Sequence, residues 1–355
     1  MKTAVIMPTI NVPHVLKLYE QQASFAPTSS VWFFVVVDDK TPQSALDLCD
    51  SIRNCRILDD GDSAGYQSAQ YFTGIQRRNL ALLEALKWGA DVIISIDDDN
   101  FSMGPDYFYQ FGVEASDLGA YKHQHLFSGL RAKGSGTSPD AANWFDPGSL
   151  LEPITTHRGF PHNAQIADNQ GFEPVVNARI GVHAGLVLGD PDIGAVDRIV
   201  DRSHSYGVSE IGRAGIVVNP ATTWTVFNSQ NTAFVRELAP AMMMWPDVGR
   251  YDDIFASLLC QRIMEKHGYH VRFGPPFVWQ QRKNTNLLRD LKGEIYGMEH
   301  VEDLATFLNA FPLVSDSKTV VEHTASIFNA LLNTEWPSIV GEAGLAWCED
   351  VKTVL

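Results

Sequence analysis

The chain has 355 residues, 45% hydrophobic and 19% charged, which is enough apolar material for one large core or two modest ones. Its formal charge of −15, from 27 Lys+Arg against 42 Asp+Glu, argues against nucleic acid as the main partner. Cys49, Cys55, Cys260 and Cys348 form no CxxC pair and have no zinc-like spacing, so neither a disulfide framework nor a structural zinc is expected.

The N-terminus, "MKTAVIMPTI", runs directly into a strand pattern without the h-region of a signal peptide. No apolar run reaches the ~18 residues that span a bilayer. The expected location is the cytoplasm. "TAVIMPT" (3–9) is a short strand, "HVLKLYEQQ" (14–22) has helical spacing, and "VWFFVVVDD" (31–39) is a strand stopped by two aspartates. Thr41 and Pro42 then read as N-cap and first residue of a helix. "CRILDD" (55–60) is another strand. "GIQRRNLALLEALKWGA" (74–90) is an amphipathic helix ending at Gly89, and "DVIISID" (91–97) is a strand buried on both faces.

Alternating strand and helix predict a Rossmann-like open sheet, in which ligands bind outside the carboxyl ends of the strands. Three such ends carry chemistry: Pro8-Thr9, Asp38-Asp39 and Asp97-Asp98-Asp99. No Walker lysine loop or GxGxxG follows the first strand, which excludes a P-loop kinase or an ordinary dinucleotide enzyme. Residues 120–225 read as a loop-heavy half with short strand pieces such as "GIVVN" (215–219). Regular structure returns with "NTAFVREL" (231–238), an amphipathic helix over 251–269 and "HVRFGPP" (270–276). Two helical stretches follow from about 300.

Closely spaced carboxylates at a buried strand end suit Mg²⁺ or Mn²⁺, which takes one or two protein carboxylates and shares substrate phosphates. A solvated acidic turn or a set of helix caps is the alternative.

The run "RRNLALLEALKWGADVIISIDDDN" resembles the nucleotide-sugar half of GT-A glycosyltransferases. With "VVVDDKTP", "HRGFP", "GLVLGDPD", "FNSQNTAF", "GRYDD" and "PPFVWQQRKN", the chain is similar to the catalytic domain of the plant STELLO glycosyltransferases. "DDDN", "HRGFP", "VHAGL" and "GRYDD" also resemble the reversibly glycosylated polypeptides, which include UDP-arabinopyranose mutases. The likeness covers about residues 3 to 300. It implies an α/β GT-A fold with a mostly parallel central sheet: a nucleotide-sugar-binding half (1–119), an acceptor half (120–300) and a helical C-terminal extension (301–355).

The resemblance also implies roles. Asp97 and Asp99 contact the metal and the ribose-diphosphate, with Asp98 shaping the turn or sharing the metal. Asp38 and Asp39 face the nucleoside or cap a helix. Arg77, Arg78 and Asn79 lie where an arginine reaches the base or diphosphate. Asp252 and Asp253 face the acceptor, one capping the 254–267 helix and the other, first Asp253, serving as general base or holding the sugar by its hydroxyls. Arg158 matches an arginine linked to reversible sugar attachment, or is a phosphate-binding or structural arginine. His183 matches a histidine of the polypeptide branch, as a metal ligand or a structural group. Where that branch has a histidine near 280, this chain has Gln280 and Gln281.

The expected activity is a hexosyl- or pentosyltransferase that uses Mn²⁺ or Mg²⁺, a UDP-sugar donor and an unidentified acceptor. A pyranose/furanose mutase of a UDP-pentose and a non-catalytic scaffold are the alternatives, and a homo-oligomer is left open.

Overall fold

A computed structural model describes residues 1–25, 30–111, 125–133, 143–164, 171–200, 205–281, 286–314 and 318–355. The N-terminal half is doubly wound. Strands β1 (Lys2–Pro8), β2 (Ser30–Val36), β3 (Cys55–Leu58) and β4 (Val92–Ile96) are parallel in the order β3-β2-β1-β4. Alternate residues face opposite cores: Ala4 and Ile6 pack with helix α3 (Arg78–Trp88), whereas Val5 and Met7 pack with α1 (Val15–Ala23) and with Cys49 of α2 (Gln43–Ser51). Burial on both faces is why these strands read as continuous apolar runs.

Two helix boundaries differ from expectation. Pro42, not Thr41, occupies the N-cap position of α2, because the Thr41 hydroxyl donates to the Thr9 carbonyl at 3.0 Å instead. Residues 74–77 form a 3₁₀ turn before α3, which ends as expected at left-handed Gly89. Helix α3 is buried over 78–86 rather than one-sided, since α10 (Ser338–Val354) covers the face an amphipathic helix would give to water.

Beyond Asp99 the pairing becomes mixed. Strand β5 (Asn100–Ser102) leaves the end of β4, and the four-residue helix α4 (Tyr107–Gln110) follows. Strands β6 (His125–Ala132), β9 (Phe172–Gly189), β11 (Ile216–Val218) and β14 (His270–Gln280) pair in a closed circuit of β9–β6, β6–β11, β11–β14 and β14–β9. Strand β13 (Asn231–Val235) joins this circuit to the parallel half, antiparallel to both β4 and β9. The two-residue strands β7 (Trp144–Phe145) and β12 (Trp224–Thr225) pair with each other, as do β8 (Leu151–Glu152) and β10 (Gly207–Val208).

The architecture is the expected α/β one: in the first half β1 to β4 pair with one another only in parallel, and the second half is mixed, with β6–β11 and β9–β14 parallel but β6–β9 and β11–β14 antiparallel. A parallel pair needs a crossover of a dozen or more residues, usually a helix. The second half meets this with long connections, from Ala132 to Ile216 and from Gly189 to His270, which carry the short helices α5 (Ala195–Val200) and α6 (Glu210–Ala214) among other elements.

Helix α7 (Asp252–His267) is buried along most of its length, because α8 (Leu287–Ala310) and α9 (Val320–Leu331) pack on it. The expected start of the helical extension at 301 falls inside α8. Together α7 to α10 share the larger core with α3. No helix among the described residues is long and apolar enough to cross a membrane.

Candidate active site

The order β2-β1-β4 brings the three strand ends side by side. Thr9 is buried, its N–H donates to the Val36 carbonyl at 2.9 Å, and its hydroxyl meets Asp98 Oδ2. Asn11 Nδ2 reaches the same oxygen at 3.3 Å. Asp38 accepts from the Lys40 N–H at 2.9 Å and lies 3.3 Å from the Thr41 hydroxyl, so it closes the turn after β2; Asp39 is exposed. Pro8 is the last residue of β1, opposite Val36.

The triple aspartate is split three ways. Asp98 belongs to Thr9 and Asn11. Asp99 accepts from Gln280 Nε2 at 3.0 Å, where β14 pairs with β5. Asp97 accepts from Arg78, whose guanidinium is buried and also donates to the Ile96 carbonyl at 3.2 Å and to Ser229 Oγ.

From Ser229 the contacts continue. Its N–H and hydroxyl both donate to Asp253 Oδ2 at 3.0 Å. Asp253 also receives Arg158 Nη2 at 3.0 and 3.2 Å. On its other side Arg158 meets Asp192, through Nε at 3.0 and 3.1 Å and Nη2 at 2.8 Å, while Nη1 donates to the Arg250 carbonyl. Asp192 accepts from Asn228 Nδ2 at 3.0 Å, and Asn228 reaches His157 Nε2 at 3.3 Å. The result is one connected line of alternating charge, Asp97–Arg78–Ser229–Asp253–Arg158–Asp192.

Burial alone would lower the Arg158 pKa, but Asp192 and Asp253 hold it well above the ordinary arginine value. Burial pushes His157 down and keeps it neutral; its Nδ1–H then donates to the Arg158 carbonyl at 2.8 Å and leaves Nε2 as an acceptor for Asn228. Asp252 is raised to about 7, by burial first and by neighbouring Asp253 second. It accepts from Gln76 Nε2 and from the Asp253 N–H, both at 3.0 Å. Neither aspartate occupies the N-cap position of α7, which is Tyr251. Cavities of ≈ 20 Å³, lined in part by Arg78, Ser229 and Asp253, and ≈ 30 Å³, lined in part by His157, Asp192 and Asn228, border this line. Each has room for about a water or two.

Three expected residues are engaged elsewhere. Asn79 is buried and exchanges both bonds with the Met244 backbone, at 3.0 and 2.8 Å. Arg77 ties the Val37 carbonyl (3.1 Å) to Asp60 (3.1 Å). His183 is buried on β9 with its ring edge-on to Phe111 at 5.0 Å. Among the described residues no three His, Cys, Asp or Glu converge as a metal cage, so Asp97, Asp98, Asp99 and His183 are not one ligand set. The donors fit a hard divalent ion only in its sparse mode, with one or two strand-end carboxylates and the remaining oxygens from substrate.

Asp192, Asn228, Ser229 and Gln76 were not singled out from sequence, and Gln280 was noted only as standing where the polypeptide branch has a histidine. Their signals were "GDPD", in which proline separates two acids, and "FNSQN", a polar run between apolar ones.

Residues 172–334 match the family model of the reversibly glycosylated polypeptides. The likeness expected from the motifs is there. Probable UDP-arabinopyranose mutase 1 of Solanum tuberosum is 27% identical over 57% of this chain and 59% of its own length. The protein of that name from Zea mays is 28% identical over 70% of this chain and 66% of its own length. The chain thus spans less than two thirds of these relatives. Among solved structures, glucosyl-3-phosphoglycerate synthase from Mycobacterium tuberculosis superposes over 88% of this chain and 81% of its own, with 12% identity and a TM-score of 0.43.

Proposed function

We propose that the chain is a metal-dependent glycosyltransferase with a UDP-sugar donor. The observation that carries this reading is the line from Asp97 to Asp192, which joins the nucleotide-side strand ends to the N-terminus of α7. Arg78 and Arg158 are both already paired with carboxylates. A sugar diphosphate therefore needs a further cation, which Asp97 and Asp99 would hold as Mg²⁺ or Mn²⁺; when bound, that ion supplies charge neutralisation for the departing diphosphate.

The acceptor hydroxyl oxygen attacks the anomeric carbon while the bond from that carbon to the diphosphate oxygen breaks, its electron pair leaving with UDP. The hydroxyl proton passes to Asp252, whose carboxyl near 7 suits proton transfer at neutral pH. Asp253, with Arg158 and Ser229 on it, is the strut and Asp252 the base, which reverses the order expected from sequence.

The family match and the relatives named as UDP-arabinopyranose mutases support a second reading, ring contraction of a UDP-pentose. A covalent sugar on Arg158 fits poorly with its clamp: a guanidinium held protonated between two carboxylates is a weak nucleophile. Incubation with labelled UDP-sugars followed by intact-protein mass spectrometry tests the choice. No adduct, together with metal-dependent release of UDP, supports the transferase. A one-sugar adduct lost in Arg158→Lys, or conversion of UDP-arabinopyranose to the furanose, overturns it. Isothermal titration of UDP with and without Mn²⁺ tests the scaffold alternative, which requires no metal-dependent binding.

A further inference from the structure

Trp279 and Tyr206 form a stacked pair with ring centroids 6.1 Å apart and an interplanar angle of 29°. Trp279 is partly buried against the larger core, the side that carries α7, while Tyr206 is 67% exposed. Phe101, 43% exposed, is directly opposite Trp279 in the antiparallel β5–β14 register, which places both side chains on one face of the pair. Nothing about folding requires a hydrophobic row of this kind to be left in water.

The row is built into the site. Gly189 has a left-handed φ of +80°, and an added Cβ would lie 3.0 Å from the Trp279 ring. Ser205, beside Tyr206, exchanges two backbone hydrogen bonds with Gly189, at 2.8 and 3.2 Å. Three residues beyond Gly189, Asp192 grips Arg158. The next residue after Trp279 is Gln280, whose amide holds Asp99. The Glu152 carboxylate lies over Gly207, next to Tyr206, as a hydrogen-bond acceptor for hydroxyls.

We infer that Tyr206, Trp279 and Phe101 form a stacking platform for the acceptor, and that the acceptor is a neutral saccharide. This rests on the transferase reading above. The apolar C–H face of a pyranose ring lies flat on an aromatic ring while its hydroxyls reach polar groups at the edge, the amphipathic match that aromatic side chains provide. A nucleobase could also stack on such a platform. However, Phe101 of β5 and Trp279 of β14, with Tyr206 stacked on it, lie on the β14 side of Asp99, whereas Asp38 and Asp39 follow β2, which is beyond β1 on the other side of β4.

The test titrates cellohexaose, mannohexaose and xylohexaose, with UDP as a separate arm, and reads tryptophan fluorescence and calorimetric affinity. Wild-type protein, Tyr206→Ala and Tyr206→Phe are compared. The expected result is binding of at least one neutral hexasaccharide, weakened at least ten-fold in Tyr206→Ala and kept in Tyr206→Phe. Metal-dependent hydrolysis of UDP-sugar should be unchanged in both variants. If no hexasaccharide binds, or Tyr206→Ala binds as well as wild type, the platform is refuted. If UDP affinity is what Tyr206→Ala loses, the platform serves the base and the inference is refuted. Donor hydrolysis keeps the two ideas apart: its absence in wild type refutes the transferase reading, and its presence with a silent platform refutes only this inference.

Discussion

Asp97, Asp98 and Asp99 are consecutive and go to three different partners, whereas Arg158, Asp192 and Asp253 are far apart in the chain and share one guanidinium. In the first region neighbouring carboxylates diverge because a strand end fans its side chains toward different elements: Arg78 of α3, Thr9 beyond β1 and Gln280 of β14. In the second, the fold collects opposite charges and buries them. Adjacency in sequence therefore overstates how much three aspartates act as one ligand, and distance in sequence hides a unit that does act together.

The sharpest way to break the comparison is to remove the shared cation. Arg158→Met keeps much of the side-chain volume but leaves Asp192 and Asp253 buried without a counter-charge, and such breaks cost ~3–5 kcal/mol. Denaturant unfolding should show a loss of that size. A loss below about 1 kcal/mol would mean that the carboxylates are solvated and the clamp is nominal.

Next comes the pair Asp252 and Asp253. Asp252→Asn retains an acceptor for Gln76 but removes the base, so turnover should fall ~10²-fold, the scale of general-base help. In wild type the rate should rise with pH as the Asp252 carboxyl ionises near 7 and level off above it; in Asp252→Asn that limb should vanish. The stability linkage has the opposite sense from a salt-bridged carboxylate. With a folded pKa above the unfolded value of about 3.9, stability falls as pH rises from about 4 to about 7 and is flat beyond. A pH–rate limb that persists in Asp252→Asn would move the base elsewhere.

Third, Asp99→Ala should leave stability near wild type and weaken UDP binding in Mn²⁺ at least ~10-fold, about 1.4 kcal/mol, with no change in metal-free buffer. Equal weakening in both conditions would assign Asp99 to the nucleotide itself rather than to an ion.

The first region was the legible one. Continuous apolar strands, Gly89 at a helix end and acids at strand ends are local signals, and the structure places β1 to β4 and α1 to α3 where they pointed. Strand β9 was hidden because Pro174, Asn177, Gly181 and Gly185 interrupt its periodicity, although pairing on both edges makes it a strand of 18 residues. Asn79 was misjudged for a related reason: its neighbour Arg78 does face the strand end, but one residue along a helix turns the amide to the Met244 backbone. The clamp partner Asp192 was invisible as a site residue because its role depends on a contact 34 positions away, with Arg158.

The smallest expected effect concerns a link between the two regions. Asp350 of α10 is buried and accepts from the N–H groups of Gln67 and Ser68 and from the Ser68 hydroxyl, at 2.9, 2.7 and 2.6 Å. It thereby fixes the segment leading to Gln76, which holds Asp252, and to Arg77 and Arg78. Asp350→Asn keeps one carbonyl acceptor but turns an amide NH₂ toward a donor, so about one hydrogen bond's net worth, ~1 kcal/mol, should be lost in denaturant unfolding. Turnover and its limb near pH 7 should stay at wild type, because Gln76 is also anchored by its own bond to Asp252. If instead the limb shifts while stability is unchanged, the C-terminal helix tunes the acid–base group, and the two regions would have to be treated as one site reaching as far as α10.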